Sequence, residues 1–305
     1  MCRILIGTLY CGENEFERCC EAIENQTHRR HEQFVIRDLP NKQAHQTLYR
    51  TFMDRADDFD MFVKVDADMI LFSKQKLADL VRYFARHDYL DGISIPVLDG
   101  LTDRWIHGLH AYRSSVRWPQ ETDENVFVDR VPVAPERFRL GVRELAPFAT
   151  HCEDPADTAA IHFGLHRGKK VLAALERDGP DSSNAAYYLD TLHAAEKTFR
   201  RRNRRASVLA VLGGELALTE HGDSLHVDYS HTHTQAELES WAAKPTADIW
   251  NEVQRLQSVS SIDPVTRRRL LRMQRRRRFS DMLRETFHDQ PLRFASNLKR
   301  KLRKG

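Results

Sequence analysis

An apolar strand that ends in two aspartates is the feature that most limits how this chain can fold. Residues 59–72 read FDMFVKVDADMILF, an almost continuous apolar run that is interrupted by Lys64 and closed by Asp66 and Asp68. Such runs are typical of a strand whose two faces are both covered by other elements. Two acids at the carboxyl end of a central strand lie where open α/β sheets bind their ligands.

The segments around this strand alternate between strand-like and helix-like spacing. Short apolar runs at 3–9 and 33–39 are each followed by a stretch with apolar residues three and four apart. A further helix is expected near 77–84 and a further strand at 92–98, whereas residues 99–150 look irregular and are expected to hold loops and short strands. This alternation predicts an α/β fold with a mainly parallel sheet sandwiched by helices.

Helical spacing returns after Pro155 and continues through the rest of the chain, where strand signals nearly vanish. We therefore expect an α/β domain at residues 1–180 and a helical extension at residues 181–305. A basic helix is expected to begin at Pro264.

Composition and cysteine spacing exclude several protein classes. Hydrophobic residues make up 41% of the chain, which is too much for wholesale disorder. The longest apolar stretch, residues 208–218, is broken by Glu215 and is too short to span a membrane. The N-terminal segment lacks the pattern of a secretion signal. Five cysteines without a C-x-x-C pair favour reduced thiols over a zinc or redox site, so we expect a cytoplasmic protein.

Asp66 and Asp68 have the chemistry of a metal site. Paired carboxylates suit a hard cation such as Mn2+ or Mg2+, which keeps coordination positions free for phosphate oxygens. Lys64 would either neutralise a diphosphate or pair with one of the two acids. A D-x-D sequence is common, however, and a solvated turn is the alternative interpretation of the same residues.

The strand–helix pattern and the D-x-D strand together resemble a GT-A glycosyltransferase, and they are most similar to family 2 of these enzymes. Asn14-Glu15 and Gln26-Thr27 stand where that family often has the same pairs around its first helix. The resemblance covers about residues 3–175. The Q-x-x-R-W motif of processive polysaccharide synthases is absent, which favours transfer of a single sugar.

The resemblance implies a donor site and a cation. The residues that would hold the nucleotide are Thr8, Tyr10, Asp38, Lys64 and Asp66. Asp66 and Asp68 would bind Mn2+ or Mg2+ against the diphosphate of a nucleotide-sugar. Enzymes of this fold often recruit a downstream histidine as a third ligand, for which we favour His151 over His162 and His166, which are four residues apart on a helix.

The catalytic base is expected just after His151. In inverting GT-A enzymes the base is commonly an acid of a Glu-Asp pair at the start of a helix, which selects Asp154, or Asp157 if the register slips. The alternative is that Asp154 only caps that helix. A retaining enzyme would need no such base. Further along the same helix, Lys169 and Lys170 could contact phosphate, but we expect them to be solvated at the helix end.

The acceptor is expected to contact the irregular region. Aromatic and amphipathic side chains that could stack on a sugar are concentrated there: Trp105, His107, His110, Tyr112 and Trp118. The same residues could instead anchor loops on the core. Asp99 and Asp103 are further candidates for the base.

The C-terminal segment is strongly basic. Residues 267–304 contain fifteen Lys and Arg against three acids, while the whole chain carries only +3, so the remainder is net acidic. Apolar residues interspersed at 264–305 favour an amphipathic helix on an anionic membrane surface. Packing on the acidic body is the close alternative, and nucleic acid is an unlikely partner because no nucleic-acid module accompanies the arginines.

The sequence thus predicts a metal-dependent, inverting glycosyltransferase that uses a nucleotide-sugar donor and a glycan or lipid-linked acceptor. It would be cytoplasmic, or peripheral on the inner face of a membrane. The rival hypothesis is a binding protein that acts through its arginine-rich C-terminal segment on anionic lipid or nucleic acid, with a non-catalytic α/β body.

Overall fold

A mixed β-sheet forms the centre of this protein, whose computed structural model describes residues 2–119, 127, 133–220 and 233–277. The α/β class predicted from the sequence is confirmed. The eight strands of the described part are β1 (Ile4–Tyr10), β2 (His31–Arg37), β3 (Met61–Asp66), β4 (Met69–Leu71), β5 (Gly92–Asp99), β6 (Arg104–Arg113), β7 (Phe138–Arg139) and β8 (Ala149–His151).

The strand order is β2-β1-β3-β6-β5-β8-β4, with β7 paired to β5. β1 runs parallel to β2 and β3, whereas β6 runs antiparallel to both of its neighbours, β3 and β5. The sheet is therefore mixed, and the prediction of a mainly parallel sheet was wrong in this respect. The cause is β6, which lies in the region expected to be irregular. A connection of only four residues joins it to β5, and so short a connection reverses the chain direction.

Helices cover the sheet and then form a layer of their own. The helices of the described part are α1 (Phe16–Glu24), α2 (Asn41–Asp54), α3 (Lys76–Arg86), α4 (Asp157–Asp178), α5 (Ser183–Arg202), α6 (Arg205–Ala217), α7 (Gln235–Ala242) and α8 (Thr246–Ser258), followed by helical residues 264–277. Buried side chains of α1 and α3 share one core with β1, β3, β5 and β6. Those of α2 form a separate core with β1, β3 and β6. The sheet is therefore covered on both faces.

The α2 core contains two of the aromatic residues expected at the acceptor site. Trp118 stacks on Tyr49 with ring centres 4.7 Å apart, and Tyr112 packs edge-to-face on Trp118. Both Tyr112 and Trp118 are buried, so they serve the core rather than a sugar. Trp105 is half exposed, at the start of β6.

Helices α4 and α6 meet backbone to backbone. A Cβ atom at Gly164 would collide with the carbonyl oxygen of Ala210, and one at Gly213 would collide with that of Ile161. The two helices can approach this closely only because glycine stands at these positions. All residues of α6 from Ser207 to Glu215 are buried, which accounts for the apolar sequence of this segment.

The helical residues 264–277 pack on the body of the protein. Leu270 is buried in a core with side chains of α4 and α5. Arg267 forms an ion pair with the buried Glu215, with Nη2 and Oε2 2.6 Å apart, and Arg269 pairs with Asp181. Residues 264–277 therefore pack on the body. Residues 278–305 lie outside the described residues. None of the described helices is both long and apolar enough to cross a membrane.

We expect Gly164→Ala to destabilise the protein by about 1–3 kcal/mol or more, because the added methyl group meets backbone atoms of α6 that cannot move independently. The measurement is the midpoint of urea unfolding. Glu21→Ala, at an exposed position of α1, is the control and should change stability by less than about 0.5 kcal/mol. Equal stability of the two variants would contradict this account of the helix contact.

Candidate functional site

A cavity of about 360 Å3 opens at the carboxyl ends of β1 and β3. Its acidic lining residues are Glu13, Glu15, Asp66 and Asp68. Basic residues from β6 and α4 line another part of the wall: His107, His110, His162, His166, Arg167 and Lys170. Cavities of this size and mixed polarity are typical of small-ligand sites.

Asp68, His151 and Cys152 form a group that could hold a metal ion. One ligand atom of each residue lies within 4.8 Å of the other two. Asp68 Oδ2 is 3.2 Å from His151 Nε2 and 3.0 Å from Cys152 Sγ. The second oxygen of Asp68, Oδ1, is buried and has no hydrogen-bond partner in the described part of the chain. A carboxylate oxygen in that state is suited to a cation, because burial without a partner is costly.

The turn after β3 places Asp68 in this group. β3 ends at Asp66, and residues 67 and 68 form a turn that leads into β4. Asp66 thus ends the strand and Asp68 lies in the turn after it, so the two aspartates are not both on the strand, as the sequence had suggested. Both line the cavity. β4 then pairs with β8, with Met69 opposite His151, and this pairing brings the two segments together.

A buried carboxylate orients the His151 ring. Nδ1 of His151 lies 2.8 Å from Oδ1 of Asp99, which is fully buried and also accepts the backbone N–H of Thr102. Burial favours the neutral imidazole, but the carboxylates of Asp68 and Asp99 outweigh it and raise the pKa of His151 to about 9. Histidines that bind metals commonly give their second N–H to a carboxylate in this way. Asp99 is therefore placed to support His151, not to act as a base.

Cys152 was not recognised as a possible ligand from the sequence, because cysteine spacing alone was considered. Its position next to His151 is the signal that could have identified it. Burial and the neighbouring carboxylates raise the pKa of the Cys152 thiol, and Sγ donates to Asp68. Arg204 holds this loop through the carbonyl oxygens of Gly100, Cys152 and Glu153.

Lys64 and Asp66 form an ion pair beside this group. Lys64 Nζ lies 2.9 Å from Asp66 Oδ1, and Lys64 is only 5% exposed. Burial alone would raise the pKa of Asp66, but the Lys64 ammonium group brings it below its usual value. Of the two roles considered for Lys64, pairing is the one seen in the structure.

The other residues expected to hold a nucleotide lie outside the cavity wall. Thr8 is buried and accepts a hydrogen bond from Gln33. Tyr10 packs on Phe16, and Arg37 covers its ring. Asp38 is exposed, with a left-handed backbone φ of 55°. Their neighbours Leu9, Cys11, Gly12 and Leu39 line the cavity instead.

Asp154 lies in an exposed loop before α4 and is not among the lining residues. Its backbone N–H donates to Glu15 Oε1 over 2.7 Å. The N-cap of α4 is Ala156, so Asp154 does not cap this helix. The alternative candidates are paired elsewhere, since Asp157 binds Arg205 and Asp103 binds Arg201 and Arg202.

Glu13 and Glu15 are cavity acids that the sequence analysis did not select. Glu15 is 1% exposed, and its Oε2 has no hydrogen-bond partner among the described residues. Burial raises its pKa above the ordinary value. Burial also raises the pKa of Glu13 to about 7, despite a hydrogen bond from the Cys11 N–H. Their position in the loop after β1, where strand ends bind ligands, was the available signal.

Helix α4 carries the basic part of the cavity wall. His162, His166 and Lys170 are spaced four residues apart and share one helix face. The prediction that Lys169 and Lys170 are solvated was wrong, because α4 extends to Asp178 and both lysines lie in its buried middle. Lys169 forms an ion pair with Glu220.

Comparisons with known proteins give little information. No protein-family model matches the sequence, and no curated protein matches it. Among solved structures, the crystal structure of A197 from STIV is similar, with a TM-score of 0.29 and 10% sequence identity. The match covers 36% of this chain and 64% of that one. We base no argument on a likeness of this size.

Asp99→Asn should weaken metal binding by about 10–100-fold, because it removes the carboxylate that fixes the His151 ring. The measurement is titration calorimetry of the full chain with Mn2+ and with Zn2+. Asp103→Asn is the matched control, since it makes the same change nearby without touching His151. Wild-type affinity in Asp99→Asn would show that His151 needs no such support.

Proposed function

We propose that this chain is a metal-dependent glycosyltransferase with a GT-A-like domain, which transfers one sugar from a nucleotide-sugar to a glycan or lipid-linked acceptor. The observation that carries this proposal is the group of Asp68, His151 and Cys152 at the carboxyl end of β3, inside a cavity lined by further acids and bases. The resemblance and this geometry have Asp68 and His151 in common.

The donor diphosphate would bind at the acidic part of the cavity. Asp68 and His151 would hold Mn2+ or Mg2+ with the support of Asp66, and the cation would offset charge on the departing diphosphate. The unpartnered Oδ1 of Asp68 fits this role. Cys152 adds a softer thiol ligand, so Zn2+ should be tested as well. We retain Thr8, Tyr10 and Asp38 as proposed nucleotide residues, at the edge of the cavity rather than in its wall.

The chain's own residues would supply the proton transfer. In an inverting reaction the base accepts the proton of the acceptor hydroxyl while that oxygen bonds to the anomeric carbon, and the bond from that carbon to the diphosphate oxygen breaks. We propose Asp154 as this base, on the resemblance of the Glu153-Asp154 pair. Glu13 is the second candidate, because it lines the cavity and a pKa of about 7 suits a base at neutral pH.

We propose that the basic segment contacts the surface on which the acceptor lies. Arg268, Arg272 and Arg276 are exposed on the helical residues 264–277, whose apolar side packs on the body. An anionic membrane surface is the partner we propose for 264–305. It would make the protein peripheral on that membrane, and it fits a lipid-linked acceptor.

The donor site is tested by thermal stability against UDP-, GDP-, CMP- and dTDP-sugars, each with Mn2+, Mg2+, Zn2+ or no metal. We expect one nucleotide to raise the melting temperature only with metal, because ligand bound to the folded state alone stabilises it. Asp68→Asn should abolish that shift.

Asp79→Asn is the control for this experiment, because it makes the same change at a partly exposed position of α3, outside the cavity. It should keep the metal-dependent shift. If no donor shifts the wild type under any metal, while the chain binds anionic lipid or nucleic acid in a salt-sensitive manner, the enzyme proposal fails and the rival binding function is favoured.

The base is tested by comparing Asp154→Asn with Glu13→Gln in turnover of the donor identified above. We expect Asp154→Asn to lower kcat by about 10²–10⁴-fold, because the acceptor hydroxyl loses its proton acceptor. Glu13→Gln should lower kcat by less than about tenfold. The opposite ranking would transfer the role to Glu13, and near wild-type rates in both variants would favour a retaining reaction.

A further inference from the structure

Arg167 is a cation in the cavity wall that has no acidic partner among the described residues. Its guanidinium carbon lies 4.9 Å from the centre of the Phe163 ring and 5.7 Å from that of Tyr188. Its Nε is buried without a hydrogen-bond partner, and across the described residues no carboxylate lies within 4.0 Å of the guanidinium group. A partly buried charge that is held only by rings is costly unless an anion joins it.

More positive charge surrounds Arg167. Lys170, three residues further along α4, is almost fully buried, and its Nζ lies 5.4 Å from the centre of the same Tyr188 ring. Burial lowers the pKa of His107, and the positive charges of Arg143, Arg277 and Arg167 lower it further. Arg277 is the last described residue of the basic segment.

This basic region lies beside the candidate metal group in the same cavity. The Phe163 ring is near both, since its centre is 6.0 Å from that of His151 and 4.9 Å from the guanidinium carbon of Arg167. A donor diphosphate would be neutralised at Asp68, where the metal ligands are. Arg167, which pairs with no carboxylate of the described residues, can then bind a second anion in the same cavity.

We propose that the acceptor carries a phosphate or diphosphate group, and that Arg167, assisted by Lys170 and Arg277, binds it. This inference rests on the proposed function, because it concerns the acceptor of that reaction. A planar guanidinium group with its face on an aromatic ring keeps its N–H edge available for a phosphoryl group. A phosphorylated glycan and a lipid-linked phosphate share this chemistry.

The test is titration calorimetry of the full chain with sn-glycerol 3-phosphate and with monomeric dihexanoyl phosphatidic acid, in EDTA and without nucleotide. Glycerol is the uncharged control. We expect at least one phosphate probe to bind, and Arg167→Gln to weaken its binding at least tenfold, because a hydrogen-bonded charge pair is lost. Arg167→Lys, which keeps the charge, should weaken binding less. Arg82→Gln, an exposed change on α3, should have no effect.

Each outcome has a defined meaning. Stronger binding of the phosphatidic acid supports a lipid-linked acceptor, and equal binding supports a soluble phosphorylated one. Absence of binding by both probes, or unchanged binding in a folded Arg167→Gln, overturns the proposal. If that variant does not fold, Arg277→Gln at an exposed position replaces it, with at least a threefold loss expected and unchanged binding as the overturning result.

The outcome of the donor experiment does not depend on the outcome of the phosphate titration. Because the phosphate titration contains no metal or nucleotide, a wild type that binds phosphate but no nucleotide-sugar would refute the proposed reaction and not the anion site. If Arg167→Gln removes the metal-dependent nucleotide shift while phosphate binding stays unchanged, the guanidinium group serves the donor and the acceptor proposal is overturned.

Discussion

The backbone contact between α4 and α6 is the constraint on which the rest of the structure depends. With glycine at Gly164 and Gly213, the two backbones are so close that no side chain fits between them. One side of α4 is therefore committed to α6, and the side with His166 and Arg167 is left toward the cavity. Because α4 follows the loop of His151 and Cys152, the same contact fixes the distance between the metal-competent group and the basic wall.

The charges of the cavity are arranged in two regions with opposite requirements. In one region Glu13 and Glu15 hold protons more tightly than usual, and Asp68 has an unpartnered oxygen. Acids in this state lose repulsion and desolvation cost when a cation arrives. In the other region Arg167 has no acidic partner among the described residues. Acids with raised pKa values and an arginine of this kind in one cavity are typical of a functional site.

The elements that the sequence predicted are those buried on both faces or amphipathic in the usual way. β3 was found because its residues are apolar on each side, whereas β6 was missed because His107 and His110 face the cavity and interrupt its pattern. Asp66, Asp68 and His151, which the sequence analysis selected, all line the cavity. Cys152 and Arg167 could not be selected, because their significance depends on which distant groups lie near them, and a one-dimensional pattern does not contain that information.

Arg204 has a consequence for how the chain can be divided. It stands between α5 and α6, in the helical layer, yet its guanidinium group fastens the carbonyl oxygens of Gly100 and Cys152, two loops that come from the sheet. A shortened protein that stopped after α4 would keep every described strand and every proposed metal ligand, and would still lose the contacts of Arg204. A smaller relative with the same ligands would need another way to hold the loop, so these ligands and the helical layer are expected to be gained or lost together.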